Sequence, residues 1–304
     1  MNARQAAGAC VMLLGAGLAA APIQRALEPP VADLVQAATE YVETYERALT
    51  YLLADEVYRQ QETTGPGSVV DGPSQAAPMT VGGSVASTGN LGARPWATTR
   101  VLRGELFLTY LPANRLWVAV HDVASVDGKP VGNRESLQAL LRDRSVADVA
   151  QHVKDRNASF NLGGYRTISE PTFALKVVEG PNAARFEFTR GAASTDRRTA
   201  LVDLHFKERV RPTLVLHPDD HHSIESFGVL TIEAETGRVR RTRMQFADPT
   251  AGGEMTTTYA EERALALWVP VHFTEQWKSG GGTVTGDARY TNWRRFQATG
   301  RIVR

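Results

Sequence analysis

The sequence of 304 residues contains a single cysteine, Cys10. One cysteine excludes a disulfide framework within the chain and a zinc site built from several thiolates. The sequence also lacks the HExxH pair of metalloproteases, the GxSxG nucleophile elbow, the phosphate-binding P-loop and the glycine motif of dinucleotide-binding folds. Its dispersed acidic residues define no identifiable catalytic pair. We therefore interpret the protein as non-enzymatic, with no catalytic residues and no cofactor.

The chain also lacks an excess of charge of either sign, because 34 Lys and Arg residues balance 33 Asp and Glu residues for a net charge of +1. This balance gives no electrostatic reason to expect nucleic acid or an anionic membrane surface as a partner. One arginine cluster resembles a phosphate-binding stripe, but acidic residues flank it, and we predict a solvated outer face with Arg241 and Arg243 directed outward. The cluster comprises Arg238, Arg240, Arg241, Arg243, Arg294 and Arg295.

An apolar run, "ACVMLLGAGLAAA", stands near the N-terminus, with Arg4 as the only charge before it. The run has the length of a signal-peptide core and is too short to span a bilayer. We therefore predict that residues 1–21 are a signal peptide, cleaved after Ala19 or Ala21, and that the protein is exported to the periplasm or beyond the cell. The mature chain would have zero net charge, no cysteine and no membrane span.

Apolar residues recur every three or four positions from Val31 to Gln61, which predicts one long helix within the segment 22–61. The next segment, 62–95, is rich in Gly, Ser, Thr, Pro and Ala and shows no periodicity, so we predict a flexible loop. The remaining chain, 96–304, is predicted to form the main domain. It opens with a strand hairpin, "TTRVLRGELFLTYL" and "RLWVAVHDVASVDGKPV", in which Asp127 and Gly128 form the second turn.

The main domain continues with helices predicted at 135–142 and 146–159 and a short helix between Pro171 and Gly180. From residue 183 to 298, apolar and polar residues alternate with a period of two, which is typical of an antiparallel sheet with one packed face. We predict that this face carries Leu230, Ile232, Val269, Val271 and Phe273. The long N-terminal helix and the short helix near Pro171 are predicted to cover it, because a one-sided sheet needs a second layer.

The stretch "LVLHPDDHHSIESFG" at 214–228 holds three of the seven histidines and two aspartates. Pro218 interrupts a strand and the two aspartates favour a turn, whereas His221 and His222 would point to opposite sides of an extended chain. No other pair with metal-ligand spacing completes a site. We therefore predict a polar turn and no functional metal site.

The segments "FGVLTIEAETGRVRRTRMQF", "LWVPVHFTEQW" and "GDARYTNWRRFQ" resemble a hairpin, a strand and a final aromatic strand of a family of uncharacterised exported bacterial proteins, whose C-terminal half resembles the lipoprotein-carrier (LolA-like) fold. The resemblance covers nearly the whole mature chain. The family's usual Asp before the hairpin turn is absent here, at Glu233-Ala234. The matching positions, interpreted as turn and packing residues, are Gly228, Gly237, Tyr259, Trp268, Pro270, Tyr290, Trp293 and Phe296.

This resemblance implies an α+β fold, mainly antiparallel: a strongly curved half-barrel sheet covered by helices, with a long N-terminal helix. It also implies a concave face that shelters a lipid, an acyl chain or a lipoprotein. The alternative is an envelope scaffold that docks a protein partner through the sheet or the N-terminal helix. The candidate ligand-facing or core residues are Leu230, Ile232, Val269, Val271, Phe273, Trp268, Tyr290 and Trp293.

Overall fold

The structure is a computed structural model that describes residues 28–64, 97–111, 116–162, 170–197, 199–217, 220–247, 251–279 and 282–296. The predicted signal peptide lies outside these residues. The predicted loop at 62–95 also lies outside them, except for residues 62–64, which belong to a strand.

One antiparallel sheet dominates the described chain, in the strand order β4-β3-β2-β1-β12-β11-β10-β9-β8-β6-β5, with β7 paired to β8 beside this path. The strands are β1 (Leu52–Thr64), β2 (Ala97–Leu111), β3 (Leu116–Val126), β4 (Lys129–Pro130), β5 (Phe186–Asp196), β6 (Thr199–Glu208), β7 (Val215–Leu216), β8 (Ser223–Glu233), β9 (Val239–Ala247), β10 (Ala251–Glu262), β11 (Leu267–Ser279) and β12 (Gly282–Arg295).

The helices are few and short beside this sheet. They are α1 (Val31–Ala48), α2 (Leu137–Asp143), α3 (Val146–Ala158), a 3-10 helix (Phe173–Val178) and α4 (Gly180–Ala183). The predicted helices at 135–142 and 146–159 are confirmed as α2 and α3. Gly180 follows the end of the 3-10 helix, as predicted for the short helix, and it also begins α4, because Pro181 suits the first turn of a new helix.

The predicted N-terminal helix is correct only in its first part. It ends at Ala48, and the following segment forms β1 between β2 and β12. Tyr51, with φ of 55°, redirects the chain between the two elements. From Leu52 onward every second side chain is buried, but two of these positions are polar, Glu56 and Gln60. Their polarity hides the period of two, so the apolar residues alone imitate helical spacing.

The C-terminal half, with its alternating apolar and polar residues, forms the predicted antiparallel sheet with one packed face. β5, β6 and β8 to β12 join one sheet, and Leu230, Ile232, Val269 and Phe273 are at most 1% exposed. Val271 is partly buried and packs against the same core. Arg241 and Arg243 are exposed, as predicted. The antiparallel sheet with an N-terminal helix is therefore confirmed, and it extends further than predicted because β1 to β4 add to it.

The sheet curves around α1. The side chain of Arg190 on β5 donates to the Pro29 carbonyl at the start of α1 (3.0 Å), and near its end the Tyr45 ring lies 6.0 Å from the Trp117 ring of β3. An 18-residue helix is about 27 Å long. In a flat sheet, the nine spacings from β3 to β5 would span about 43 Å. Contacts at both ends of α1 therefore require a curved sheet.

Two apolar cores lie on opposite sides of β1 to β3. The larger core fills the concave side, where α1 and the 3-10 helix cover the sheet. The smaller core packs α2 and α3 against the other side through Phe107, Val120, Leu137 and Val149. Gly237, with φ of 66°, brings the β8–β9 turn against α1, where a Cβ atom would lie 2.1 Å from the Ala37 backbone. Within the described chain, no helix combines the length and the hydrophobicity needed to cross a membrane.

Candidate functional site

A cavity of about 330 Å³ lies between α3, the strand β3 and the concave face formed by β1, β2, β11 and β12. Its apolar wall comes mainly from the strands, and its polar groups gather on β1, β3 and α3. The lining residues are Glu56, Tyr58, Leu102, Trp117, Val118, Ala119, Val120, His121, Val123, Ala147, Ala150, Gln151, Val153, Lys154, Asn157, Asn161, Glu170, Phe273, Ala288 and Tyr290.

Helix α3 forms the outer side of this cavity because it covers the open edge of β3. Within the part of the chain that the structure describes, β4 pairs only with Ser125 and Val126, and the rest of this edge has no partner strand. The Asn157 side chain donates to the His121 carbonyl at that edge. A backbone group that would otherwise remain open is thereby satisfied. The helix begins at a Ser145 cap, whose hydroxyl accepts from the Asp148 amide (3.2 Å).

A buried ion-pair cluster fixes α3 to the sheet. The Asp122 side chain is fully buried on β3, and its carboxylate accepts from Arg134 (2.5 Å) and from Arg156 of α3 (2.5 Å). Arg134 precedes α2, so one carboxylate connects β3 to both helical segments. A buried carboxylate without these partners would carry a large desolvation cost. The position of α3 over the cavity therefore depends on this cluster.

The polar residues of β1 face the cavity and the chain that follows α3. Gln60 is fully buried: its amide donates to Asn161 (2.8 Å) and its carbonyl accepts from the Leu162 amide (3.0 Å). Glu56 is 6% exposed, and both of its oxygens lie 3.0 Å from Nδ1 of His121 on β3. These pairs fix the chain beyond α3 and place a charged group beside apolar walls.

Two further polar side chains are buried in the wall of the cavity. Trp117 is 1% exposed and its Nε1 has no hydrogen-bond partner among the described residues, whereas Tyr290 is 2% exposed and its hydroxyl interacts with the Glu56 carboxylate. Burial and the nearby Glu56 carboxylate raise the pKa of Tyr290, so its hydroxyl keeps its proton. A buried donor without a partner costs free energy. Both residues belong to the cavity lining, but these two atoms have almost no accessible surface and therefore lie within the wall.

Glu170 is a lining residue whose pKa is moved toward neutral pH. Burial raises the pKa of its carboxyl from 4.5 to about 7, and the positive charges of Lys176, His121 and Lys154 act against this rise. The carboxyl is therefore largely protonated below neutral pH and can donate a hydrogen bond there. Near neutral pH its charge changes, which makes the electrostatic potential of the cavity sensitive to pH.

Another buried carboxylate, Glu275 on β11, lies behind the cavity wall. It accepts a hydrogen bond from the hydroxyl of Tyr58, which lines the cavity, and a second from Trp277 Nε1 (2.7 Å). This network fixes the Tyr58 ring between β1 and β11. Glu275 is 3% exposed, so its carboxylate belongs to the wall rather than to the open space.

The sequence-predicted candidates divide between the cavity and the core. Phe273 and Tyr290 line the cavity. Trp293 donates to the Pro270 carbonyl (3.0 Å) and ties β12 to β11. Trp268 lies beneath Arg240, 4.1 Å from ring centroid to guanidinium carbon. The other four, Leu230, Ile232, Val269 and Val271, belong to the core beneath α1 and the 3-10 helix.

Sequence reasoning did not find Glu56, His121 or Trp117 as site residues. Glu56 fell within the segment predicted to be one long helix, which ends at Ala48. Its partner His121 is 65 positions away along the chain, and no local pattern connects the two. Trp117 belonged to a correctly predicted strand, but alternation alone does not distinguish a cavity wall from a filled core. A strand pattern across Leu52, Ala54 and Tyr58 was the available signal for β1.

The histidine-rich stretch forms the predicted turn, between β7 and β8. The amide of His217 donates to the His222 carbonyl (2.9 Å), and the amide of His221 donates to the His217 carbonyl (3.0 Å). His221 has φ of 59°. The side chains of His217, Asp220 and His222 converge, so the turn brings together ligand types that an extended chain would separate.

No protein-family model and no curated protein matches the chain. Solved structures with similarity to it include a putative outer membrane lipoprotein-sorting protein domain from Vibrio parahaemolyticus (10% identity, TM-score 0.31, 90% of this chain and 95% of that one). A LolA superfamily protein from Nitrosomonas europaea shares 10% identity (TM-score 0.26, 88% and 94%). A DUF1329 family protein from Desulfovibrio piger shares 11% (TM-score 0.26, 88% and 93%). Likeness at this level identifies no ligand.

Proposed function

We propose that the protein is a non-enzymatic binding protein for a small hydrophobic ligand with one hydrogen-bond-accepting end, held in the cavity beneath α3. The observation that carries this proposal is a largely apolar cavity with a few polar groups, among them Lys154 and Glu170, on its wall. A lipid or an acyl chain with an ester, carboxyl or amide group has this chemistry.

The size of the cavity supports a small ligand or part of a larger one. Its volume of about 330 Å³ lies at the lower end of the range of ligand pockets. Leu102, Val123, Phe273 and Ala288 provide apolar surface from four strands. Burying the apolar part of a ligand against them removes hydrocarbon from water at about 25 cal/mol per Å². For a lipoprotein, an acyl chain would enter and the protein part would remain outside.

The polar groups support a ligand that is not purely hydrocarbon. A dry, purely apolar cavity would not need Glu56 on its wall, because a buried charge costs free energy unless it is paired; this cavity also has the partly buried His121 and the exposed Lys154 in its lining. The pairing of Glu56 with His121 reduces this cost in the absence of a ligand. An acceptor group on the ligand would meet donors on the wall, whereas an anionic end would also be attracted by Lys154.

The scaffold alternative has less support. The apolar face of α1 is already occupied, since Leu34, Ala38, Val42 and Tyr45 pack into the core. A partner docking through this helix would meet only its polar face. We further propose that the protein acts outside the cytoplasm, because the signal peptide predicted at residues 1–21 would direct export.

Binding of the fluorescent probe N-phenyl-1-naphthylamine tests the proposal. Ala150 lines the cavity on α3, and Ala150→Trp would fill part of the space. His152 is exposed on the same helix and does not line the cavity, so His152→Trp is the matched control. We expect the wild type and the control to bind the probe with equal affinity and Ala150→Trp to bind at least tenfold more weakly.

Each variant is checked by its circular dichroism spectrum and its unfolding temperature. If Ala150→Trp folds as the wild type does and binds the probe equally well, the cavity is not the binding site. If the folded wild type binds neither the probe nor added fatty acid, the proposed function is wrong.

A further inference from the structure

The hairpin formed by β7 and β8 carries a cluster of histidine and aspartate side chains, separate from the cavity. Its strands pair through Val215 with Ile224 and Leu216 with Ser223. Beyond this pairing, the backbone bonds of the turn bring residues 217 and 222 beside each other. The imidazole rings of His217 and His222 stack with centroids 4.7 Å apart and an angle of 13° between their planes.

The carboxylate of Asp220 lies against both rings. Its Oδ1 atom is 3.2 Å from Nδ1 of His217 and 2.6 Å from Nδ1 of His222. The ligand atoms of all three residues lie within 4.8 Å of one another. His221 does not belong to this group of converging ligand atoms. Its backbone has a left-handed conformation, with φ of 59°.

These separations are close to those of a metal site. Ligand atoms at 2.0–2.1 Å from a tetrahedral zinc ion lie about 3.3 Å from each other. The distance from His217 Nδ1 to Asp220 is already near that value, and small side-chain rotations would lengthen the 2.6 Å separation of His222 Nδ1 and Asp220 toward it. Two imidazoles and one carboxylate form a ligand set suited to late first-row ions rather than to Mg²⁺ or Ca²⁺.

We propose that His217, Asp220 and His222 bind a divalent transition-metal ion of the zinc, nickel or copper type at the surface. The side chains of Asp220 and His222 are 65% and 40% exposed, so water can occupy the remaining coordination positions. Three protein ligands with open positions resemble the ligand count of exchangeable rather than fully enclosed sites. The sequence predicted the turn but no functional metal site, because no pair of residues with metal-ligand spacing completed a ligand set.

The bound ion would also connect β7 to β8, because its ligands come from both sides of the turn. An ion that binds the folded hairpin and not the unfolded chain raises the unfolding temperature. This effect gives a readout that is independent of the cavity and of any hydrophobic ligand. The metal site and the proposed function can therefore fail separately.

The test uses untagged protein treated with a chelator and then titrated with Zn²⁺ and with Ni²⁺ in competition with a chromophoric chelator. The variants are His217→Gln and His222→Gln, which each remove one ligand. The control is His221→Asn, in the same turn, since asparagine tolerates a left-handed backbone. We expect one ion per chain for the wild type and the control, and at least a tenfold weaker affinity for each ligand variant, because even outer partners of metal ligands are worth 10- to 100-fold.

Circular dichroism and unfolding temperature without metal establish that each variant is folded. The proposal is overturned if the folded wild type binds neither ion stoichiometrically, or if the ligand variants retain the wild-type affinity. It is equally overturned if His221→Asn weakens binding as much as the ligand variants do, because the site would then use a different residue.

Discussion

Glu170→Gln is the substitution that best separates the electrostatics of the cavity from its packing. Burial raises the pKa of Glu170 from 4.5 to about 7, so the folded protein holds this proton over a pH range in which the unfolded chain has lost it. The stability provided by the proton is fully present below pH 4.5 and is lost as pH rises toward 7. Glutamine is neutral throughout this range and has a similar shape.

The pKa difference of about 2.5 corresponds to an upper limit of about 3.4 kcal/mol, at 1.36 kcal/mol for each pKa unit. Glu170 is only partly buried, so solvent screening lowers this figure, and we expect about 1–2 kcal/mol. The variant should match the wild type at pH 4 and exceed its free energy of unfolding by this amount at pH 8.

Urea unfolding measured at intervals from pH 4 to pH 8 provides the comparison, with exposed Glu135→Gln as the control that should follow the wild-type profile. The reasoning is refuted if Glu170→Gln and wild type keep a constant difference across the whole range. It is also refuted if the variant is less stable at pH 8, because Glu170 would then be held as a stabilising carboxylate.

Three further predictions concern the fold and the leader. Ile232→Asp buries an unpaired charge and should lower the free energy of unfolding by several kcal/mol. Thr231→Asn, on the opposite face, keeps a donor for Asp203 and should lower it by less than about 1 kcal/mol. Urea unfolding in which Thr231→Asn is the more damaging change would contradict the register. Asp122→Ala leaves its two arginine partners without their carboxylate and should lower the free energy of unfolding by about 3 kcal/mol, so a loss below about 1 kcal/mol would show that the cluster does not fix α3. N-terminal sequencing of exported protein should begin after about Ala21, and a sequence that starts at Met1 would contradict the predicted leader.

The sequence predicted the C-terminal sheet correctly because alternation is a local signal with one physical cause. A one-residue shift would bury Thr231 and expose Ile232, so the apolar positions define the face and the register. The turns at Asp127-Gly128 and around Gly237 were equally local, since positive φ values restrict the choice of residue.

The cavity could not be predicted in the same way. It depends on polar residues at buried positions of β1, above all Glu56 and Gln60, and these residues removed the pattern that identifies a strand. It also depends on α3 covering the edge of β3, which follows from the contacts of Asn157 and Asp122 in the folded structure. Such contacts join segments far apart in the chain, and one sequence does not show which of its polar residues meet.

Native mass spectrometry of the protein purified from its host tests most directly whether the cavity beneath α3 holds a hydrophobic ligand. We predict that the wild type and His152→Trp carry a bound lipid or acyl species that is released on activation, and that folded Ala150→Trp lacks it. The same bound species on all three proteins, or none on the wild type together with no uptake of added fatty acid, would contradict the account.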